Sequence, residues 1–297
     1  MTTGTVDETG DNRMTVRRPP FAFPRDNALH WNAARPEFSQ MANAASLAMP
    51  YLEPYLIKTM REARALVTDE KLVRELDLYC AQESAHYRQH RRFNDELKAA
   101  SPDAVNASEA QLAADYSWLG THRSLRFNLA YAEGFESMAL ALGHMLIEDR
   151  EFLFGRADSA VASLILWHFV EEIEHKNVTF DVFAHICGSS FWRIVGLLYA
   201  TGHIFWRSRA GYHRLLKADG LWYDWRSRLA LLRVITRVLR KLAPRLARIL
   251  LPGYHPRRVA DPSWMQSWAA LHLADADAPA RLDTSRLRDA TPVALPA

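Results

Sequence analysis

Residues 83–90 read ESAHYRQH, and residues 168–175 read HFVEEIEH. Each contains Glu-x-x-His, Glu83 with His86 and Glu172 with His175. Each also holds one more imidazole, His90 in the first and His168 in the second. An α-helix turns about 100° per residue, so groups at i and i+3 share a face one turn apart. A carboxylate and an imidazole placed there reach the same ion. Seven residues come close to two turns, which keeps all three groups of each segment on one stripe.

Both stripes lie among apolar residues: Leu76, Tyr79 and Cys80 before the first, Leu164, Leu166, Trp167 and Val170 around the second. Burying an unpaired carboxylate or imidazole is costly, and coordination to metal removes the conflict. Two Glu-x-x-His helices in a four-helix bundle leave two helices to supply one Glu each, which completes a di-iron or di-manganese carboxylate site. Glu53 in AMPYLEPYLI and Glu133 in NLAYAEGFESMAL are the candidates, with Glu136 the weaker competitor on the same segment. Glu83 and Glu172 are read as the bridging carboxylates that carry the chemistry, and Glu171 as an outer one. His168 and His90 are each open between ligand, outer hydrogen-bond donor and core histidine, with the ligand reading favoured for His168. A single Glu-x-x-His is weak, because Arg88, Arg91 and Arg92 also suit a solvated face. Two such pairs, each preceded by an apolar-flanked Glu, are far more specific.

The rest of the chain reads as helix: 38–66, broken near Pro50 and Pro54; 69–99; 108–149, interrupted near Gly120; 157–187; 190–217; and 226–250. Residues 1–35 are expected to be a disordered lead-in and 36–190 the bundle. Residues 191–260 read as a basic helical extension of the same domain, and 261–297 as a loosely ordered tail in which Trp264, Met265 and Trp268 suit a short docking turn. His144 shares the face of Glu133 but lies about 16 Å along the axis, too far for the same ion.

These residues resemble a bacterial family of predicted metal-dependent hydrolases, within the ferritin-like dimetal superfamily. The likeness rests on QESAHYRQHRRFN at 82–94, AEGFES at 132–137, WHFVEEIEHKNVTFDVF at 167–183 and GYHP at 253–256. It implies an all-α, ferritin-like four-helix bundle with a helical C-terminal extension, and ligands Glu53, Glu83, His86, Glu133, Glu172 and His175. The H-x-x-x-E-x-x-H motif also looks like that of arylamine N-oxygenases, which implies a third imidazole at His168. The donor set suits two iron ions, with manganese allowed and zinc less favoured. The expected function is oxygen activation by a di-iron oxidoreductase acting on a small or apolar organic substrate. A hydrolase using a metal-bound hydroxide and a non-enzymatic metal-binding or storage bundle are the alternatives. The electron donor is not legible, and a homodimer is compatible with this reading.

Composition bounds these readings. With 297 residues, 49% hydrophobic and 24% charged, the chain is of ordinary globular type. Two cysteines, Cys80 and Cys187, exclude a disulfide framework and fit a cytoplasmic setting. The net charge of +3 conceals an asymmetry: residues 191–260 hold 15 Lys plus Arg against 2 Asp, a local net of +13, which leaves the remainder at −10. Within 226–250, Leu232, Ile235, Leu239 and Leu242 share one side, with Arg233, Arg237, Arg240 and Lys241 largely on another. Such a helix suits peripheral contact with an anionic membrane at its inner face, or packing on the acidic bundle. No nucleic-acid reader motif accompanies it.

Overall fold

The computed structural model describes residues 14–26 and 28–296. In chain order the helices are α1 (Pro36–Arg64), α2 (Glu70–Ala100), α3 (Pro102–His122), α4 (Leu125–Glu148), α5 (Arg150–Phe154), α6 (Ser159–Glu174), α7 (Val178–Ile186), α8 (Ser190–Ala218), α9 (Trp225–Ile249) and α10 (Ser263–Ala274). The fold is all-α, with α1, α2, α4 and α6 enclosing the core and α8 and α9 packed against α1 and α4.

The expected break in α1 does not occur. Pro50 has no N–H for the carbonyl of Ser46; the Asn94 side chain donates to that carbonyl instead, at 3.0 Å. The helix continues unbroken past Pro50 and Pro54 to Arg64. The interruption expected near Gly120 falls at residues 123–124, where Ser124 caps α4 by accepting from the Phe127 N–H and separates it from α3. One expected long helix is divided. The chain leaves α6 at His175 and re-enters helix at Val178, which splits 157–187.

The crossing of α8 over α4 is set by two glycines. A Cβ on Gly134 would lie 2.3 Å from the Leu197 nitrogen, and one on Gly196 would lie 1.9 Å from the Ala130 carbonyl oxygen. Backbone atoms cannot yield as a flexible side chain can, so Gly196→Ala is expected to force the helices apart and cost about 3 kcal/mol. Chemical denaturation checks this, and an unchanged midpoint would refute the close crossing.

Helix α9 divides its apolar residues. Leu231, Val234, Leu242 and Ile249 are buried, whereas Leu232 and Leu239 are 57% and 45% exposed beside Arg233 and Arg240. The expected single apolar side is thus corrected: of Leu232, Ile235, Leu239 and Leu242, only Leu242 is buried. On the body-facing flank, Arg237 and Lys241 both donate to buried Asp149, at 2.6 and 2.8 Å. No helix among the described residues is long and apolar enough to cross a membrane.

The two ends also differ from expectation. Phe21 and Trp31 are buried, and Arg17 is inserted between helices, so residues 14–26 and 28–35 are packed instead of disordered; residues 1–13 lie outside the described residues. Trp264, Met265 and Trp268 dock as expected, on α10, but Leu282 and Leu287 are buried as well. The tail belongs to the core because its apolar side chains close the end of the bundle next to α6, where Ser163 accepts from the Leu282 N–H at 2.9 Å.

Candidate metal centre

Seven side chains from the four bundle helices and the end of α6 meet in the core: Glu53 (α1), Glu83 and His86 (α2), Glu136 (α4), and His168, Glu172 and His175 from α6 and its C-cap. All are buried. Their donor atoms form three overlapping triads, Glu53–His86–His168, Glu83–Glu136–His175 and Glu83–His86–Glu172, each with atoms within 4.8 Å of one another. Glu83 Oε1 lies 3.4 Å from His86 Nδ1 and 3.5 Å from His175 Nε2. Glu172 spans the same gap, with Oε1 3.1 Å from His168 Nε2 and Oε2 3.5 Å from His175 Nε2. These two carboxylates stand between two ends of one cluster. Glu136 and His175 form one end; Glu53, His86 and His168 form the other.

The outer hydrogen bonds determine how each imidazole faces inward. His86 Nε2 donates to Glu171 Oε2 at 3.0 Å, which turns Nδ1 to the cluster. His175 Nδ1 donates to Gln82 Oε1 at 3.1 Å, which turns Nε2 inward. His168 is fixed through a chain. Ser46 Oγ donates to Asn94 Oδ1 at 2.7 Å, so it accepts from His90 Nδ1 at 2.8 Å. His90 Nε2 then accepts from His168 Nδ1, also at 2.8 Å, leaving the His168 Nε2 lone pair toward Glu172. His90, with both nitrogens engaged, orients His168. The proline in α1 that frees the Ser46 carbonyl thus anchors Asn94, and Asn94 anchors this chain.

Glu171 takes the outer position expected of it, accepting from His86, Trp167 Nε1 and Arg17. Four other residues around the cluster, Arg17, Glu174, Gln82 and Tyr79, are not assigned a role by the sequence. Arg17 donates to both oxygens of Glu174, at 2.8 and 2.7 Å. Gln82 Nε2 donates to Glu174 at 3.0 Å. Tyr79 donates its hydroxyl to Glu136 at 2.7 Å. None of these is itself a motif position; Glu174 lies inside the second Glu-x-x-His segment, and proximity to the first hints at Tyr79 and Gln82.

One expected residue is not brought in. Glu133 is buried on another side of α4, where it accepts from Ser137 Oγ at 2.9 Å and lies in the field of Arg193. The α4 carboxylate facing the cluster is Glu136, a correction of three residues. The cause is the Gly134–Gly196 crossing, which fixes the rotation of α4 and turns Glu133 toward α8.

Nine nitrogen and oxygen atoms of the cluster have no hydrogen-bond partner: both oxygens of Glu53, Glu83 and Glu172, one of Glu136, and the inward nitrogens of His86 and His175. Buried polar groups are normally paired, so so many orphans in one place mark a site built for something else. Electrostatics say the same. Burial, and then the charges of Glu83, Glu172 and Glu136, push Glu53 well above the usual carboxylate range. Burial and then Glu172 do so for Glu136. Burial opposes charge on Glu172 too, but the charge of His175 outweighs it and holds that carboxyl low. His86 is disfavoured by burial yet raised to about 9 by Glu171 and Glu83. Four carboxylates with three neutral imidazoles balance two divalent cations, and the residues fit such ions.

The profile of a family described as predicted metal-dependent hydrolase matches residues 15–260. The chain belongs to that family. The match takes in α1 to α9, and so every residue of the cluster and also Arg17. Among curated proteins and solved structures, none matches this metal-dependent hydrolase family member.

Proposed function

We propose that the cluster holds two divalent metal ions and that the chain is a dimetal-dependent hydrolase. The orphaned donor atoms support the metals, and the family match over residues 15–260 supports the reaction class. Glu83 and Glu172 would hold both ions, Glu136 and His175 one, and Glu53, His86 and His168 the other. Two ions so held lower the pKa of bound water and polarise the leaving oxygen. The chain's own contribution is orientation: Glu171, Gln82 and His90 hold the imidazoles, and Tyr79 holds Glu136.

The donor set favours a second reading, oxidation of an organic substrate with two irons and oxygen, because four carboxylates and three imidazoles are hard nitrogen and oxygen donors. Metal analysis, followed by oxygen uptake of the anaerobically reduced protein and a panel of ester, amide and phosphoester substrates, separates the two. Turnover of a hydrolysable substrate without oxygen consumption supports hydrolysis; stoichiometric oxygen uptake with two irons per chain overturns it in favour of oxidation.

Metal uptake is expected to release protons. Glu53, Glu136, His86 and His175 all have raised pKa values in the metal-free protein, so each retains a proton that an ion must displace. For these groups the folded chain binds more protons than the unfolded one. His90 and His168, whose pKa values burial lowers, work in the opposite sense below the ordinary histidine range, so it is above that range that the stability of metal-free protein falls as pH rises through about 9. Thermal midpoints of chelator-treated protein above that range test the sign; a midpoint that climbs with pH would contradict it.

A further inference from the structure

Away from the metal cluster, Ser137, Leu140 and His144 of α4 form a cleft with the end of α9 and residues 253–260, about 440 Å³ in volume. That is the size of a small-molecule site. His144 is 7% exposed, yet its Nε2 has no hydrogen-bond partner; neither does the buried hydroxyl of Tyr254. Behind Ser137 stands Glu133, whose second oxygen is also without one. Two buried polar atoms of the cleft thus await partners, with a third on Glu133 behind it.

The mouth is cationic. Arg245, Arg248 and Arg258 line it against a single carboxylate, Glu148, which pairs with Arg245. Arg193 stiffens the base, donating to the Ile249 carbonyl at 2.8 Å with its guanidinium 5.5 Å from the centre of the Tyr254 ring. Leu140, Ile249 and Val259 give the walls an apolar stretch between floor and mouth.

We propose that this cleft binds a small organic anion, a carboxylate or phosphate monoester with a short apolar body, independently of the metal cluster. The anionic head meets Arg248 and Arg258, whose planar guanidiniums match either oxyanion. The body lies along Leu140 and Ile249. Polar atoms of the ligand satisfy His144 Nε2 and the Tyr254 hydroxyl.

Calorimetric titration of the full chain with octanoate, octyl phosphate and octanol tests this, before and after treatment with chelator. Both anions are expected to bind about tenfold more tightly than octanol, the factor that a charge-assisted hydrogen bond supplies. Arg248→Glu, at an exposed position, should remove that preference without changing the thermal midpoint. His144→Phe, which fills the floor and removes its polar atom, should weaken both anions. Chelation should leave the affinities unaltered. Equal binding of octanol and octanoate, no binding of any probe, or an unaffected Arg248→Glu variant would each overturn the proposal. Loss of anion binding on chelation would also overturn it, placing the anion at the metal cluster, and that outcome is distinct from a failure of the hydrolase reading.

Discussion

Glu172→Ala is expected to abolish paired metal binding, and Glu83→Ala to do the same. Each carboxylate faces imidazoles at both ends of the cluster, at 3.1–3.5 Å for Glu172 and 3.4–3.5 Å for Glu83, so its loss removes a donor from both ions at once. It also leaves the remaining charges less balanced. Glu53, at one end only, is expected to cost one ion when replaced by alanine. Metal content by mass spectrometry of the native protein, together with the thermal shift on adding iron, manganese or zinc, reads the difference. A ligand-induced shift scales with the ratio of free metal to dissociation constant, so loss of binding appears as loss of the shift. Retention of two ions in both Glu83→Ala and Glu172→Ala would refute the bridging assignment. Glu133→Gln is the internal control and should keep both ions, whereas Glu136→Gln should not.

Arg17→Met is expected to destabilise the protein by about 3–5 kcal/mol, the cost of leaving buried charge without its partner. Arg17 is 5% exposed and pairs with both Glu171, at 3.1 Å, and Glu174, at 2.7 Å. Burial works against Glu174 and raises its pKa despite Arg17, so removing the guanidinium would drive that carboxyl further toward the neutral form. The effect reaches the metals. Glu171 holds His86, and Glu174 holds Gln82, which holds His175. Loss of such outer partners typically weakens metal binding by about 10–100-fold. The double variant Arg17→Met with Glu174→Gln should recover part of the stability, since it removes one stranded charge. Denaturation midpoints and metal titrations of the single and double variants check both effects; an Arg17→Met protein as stable and as metal-avid as the parent would show that the two carboxylates do not need the cation.

Much of the centre was legible because it is repeated in local spacing. Glu83 with His86 and Glu172 with His175 meet because a helix, or a helix and its cap, places i and i+3 on one side. His168 follows from the same stripe, one turn earlier. The error at Glu133 has a different origin. Glu133 and Glu136 are three residues apart on one helix, so either could face inward, and only the crossing of α8 at Gly134 and Gly196 decides between them. Arg17 was hidden more deeply. It lies in a polar stretch without periodicity, and its partners are more than 150 residues away in the chain. The tail was misjudged for a similar reason: Leu282 and Leu287 are isolated in sequence, and become core only because they close the end of the bundle.

The amino-acid sequence by itself determined the helical class, the two Glu-x-x-His pairs, Glu53 and the donor chemistry suited to two metal ions. These depend on residue type and on the pitch of a single helix, which the backbone sets locally. The tertiary structure alone decided which glutamate of α4 enters, which nitrogen of each histidine faces inward, that Arg17 supports the far side, and that a cationic cleft opens beside α9. Those depend on how one helix is rotated against another, and that rotation is the outcome of packing over the whole chain.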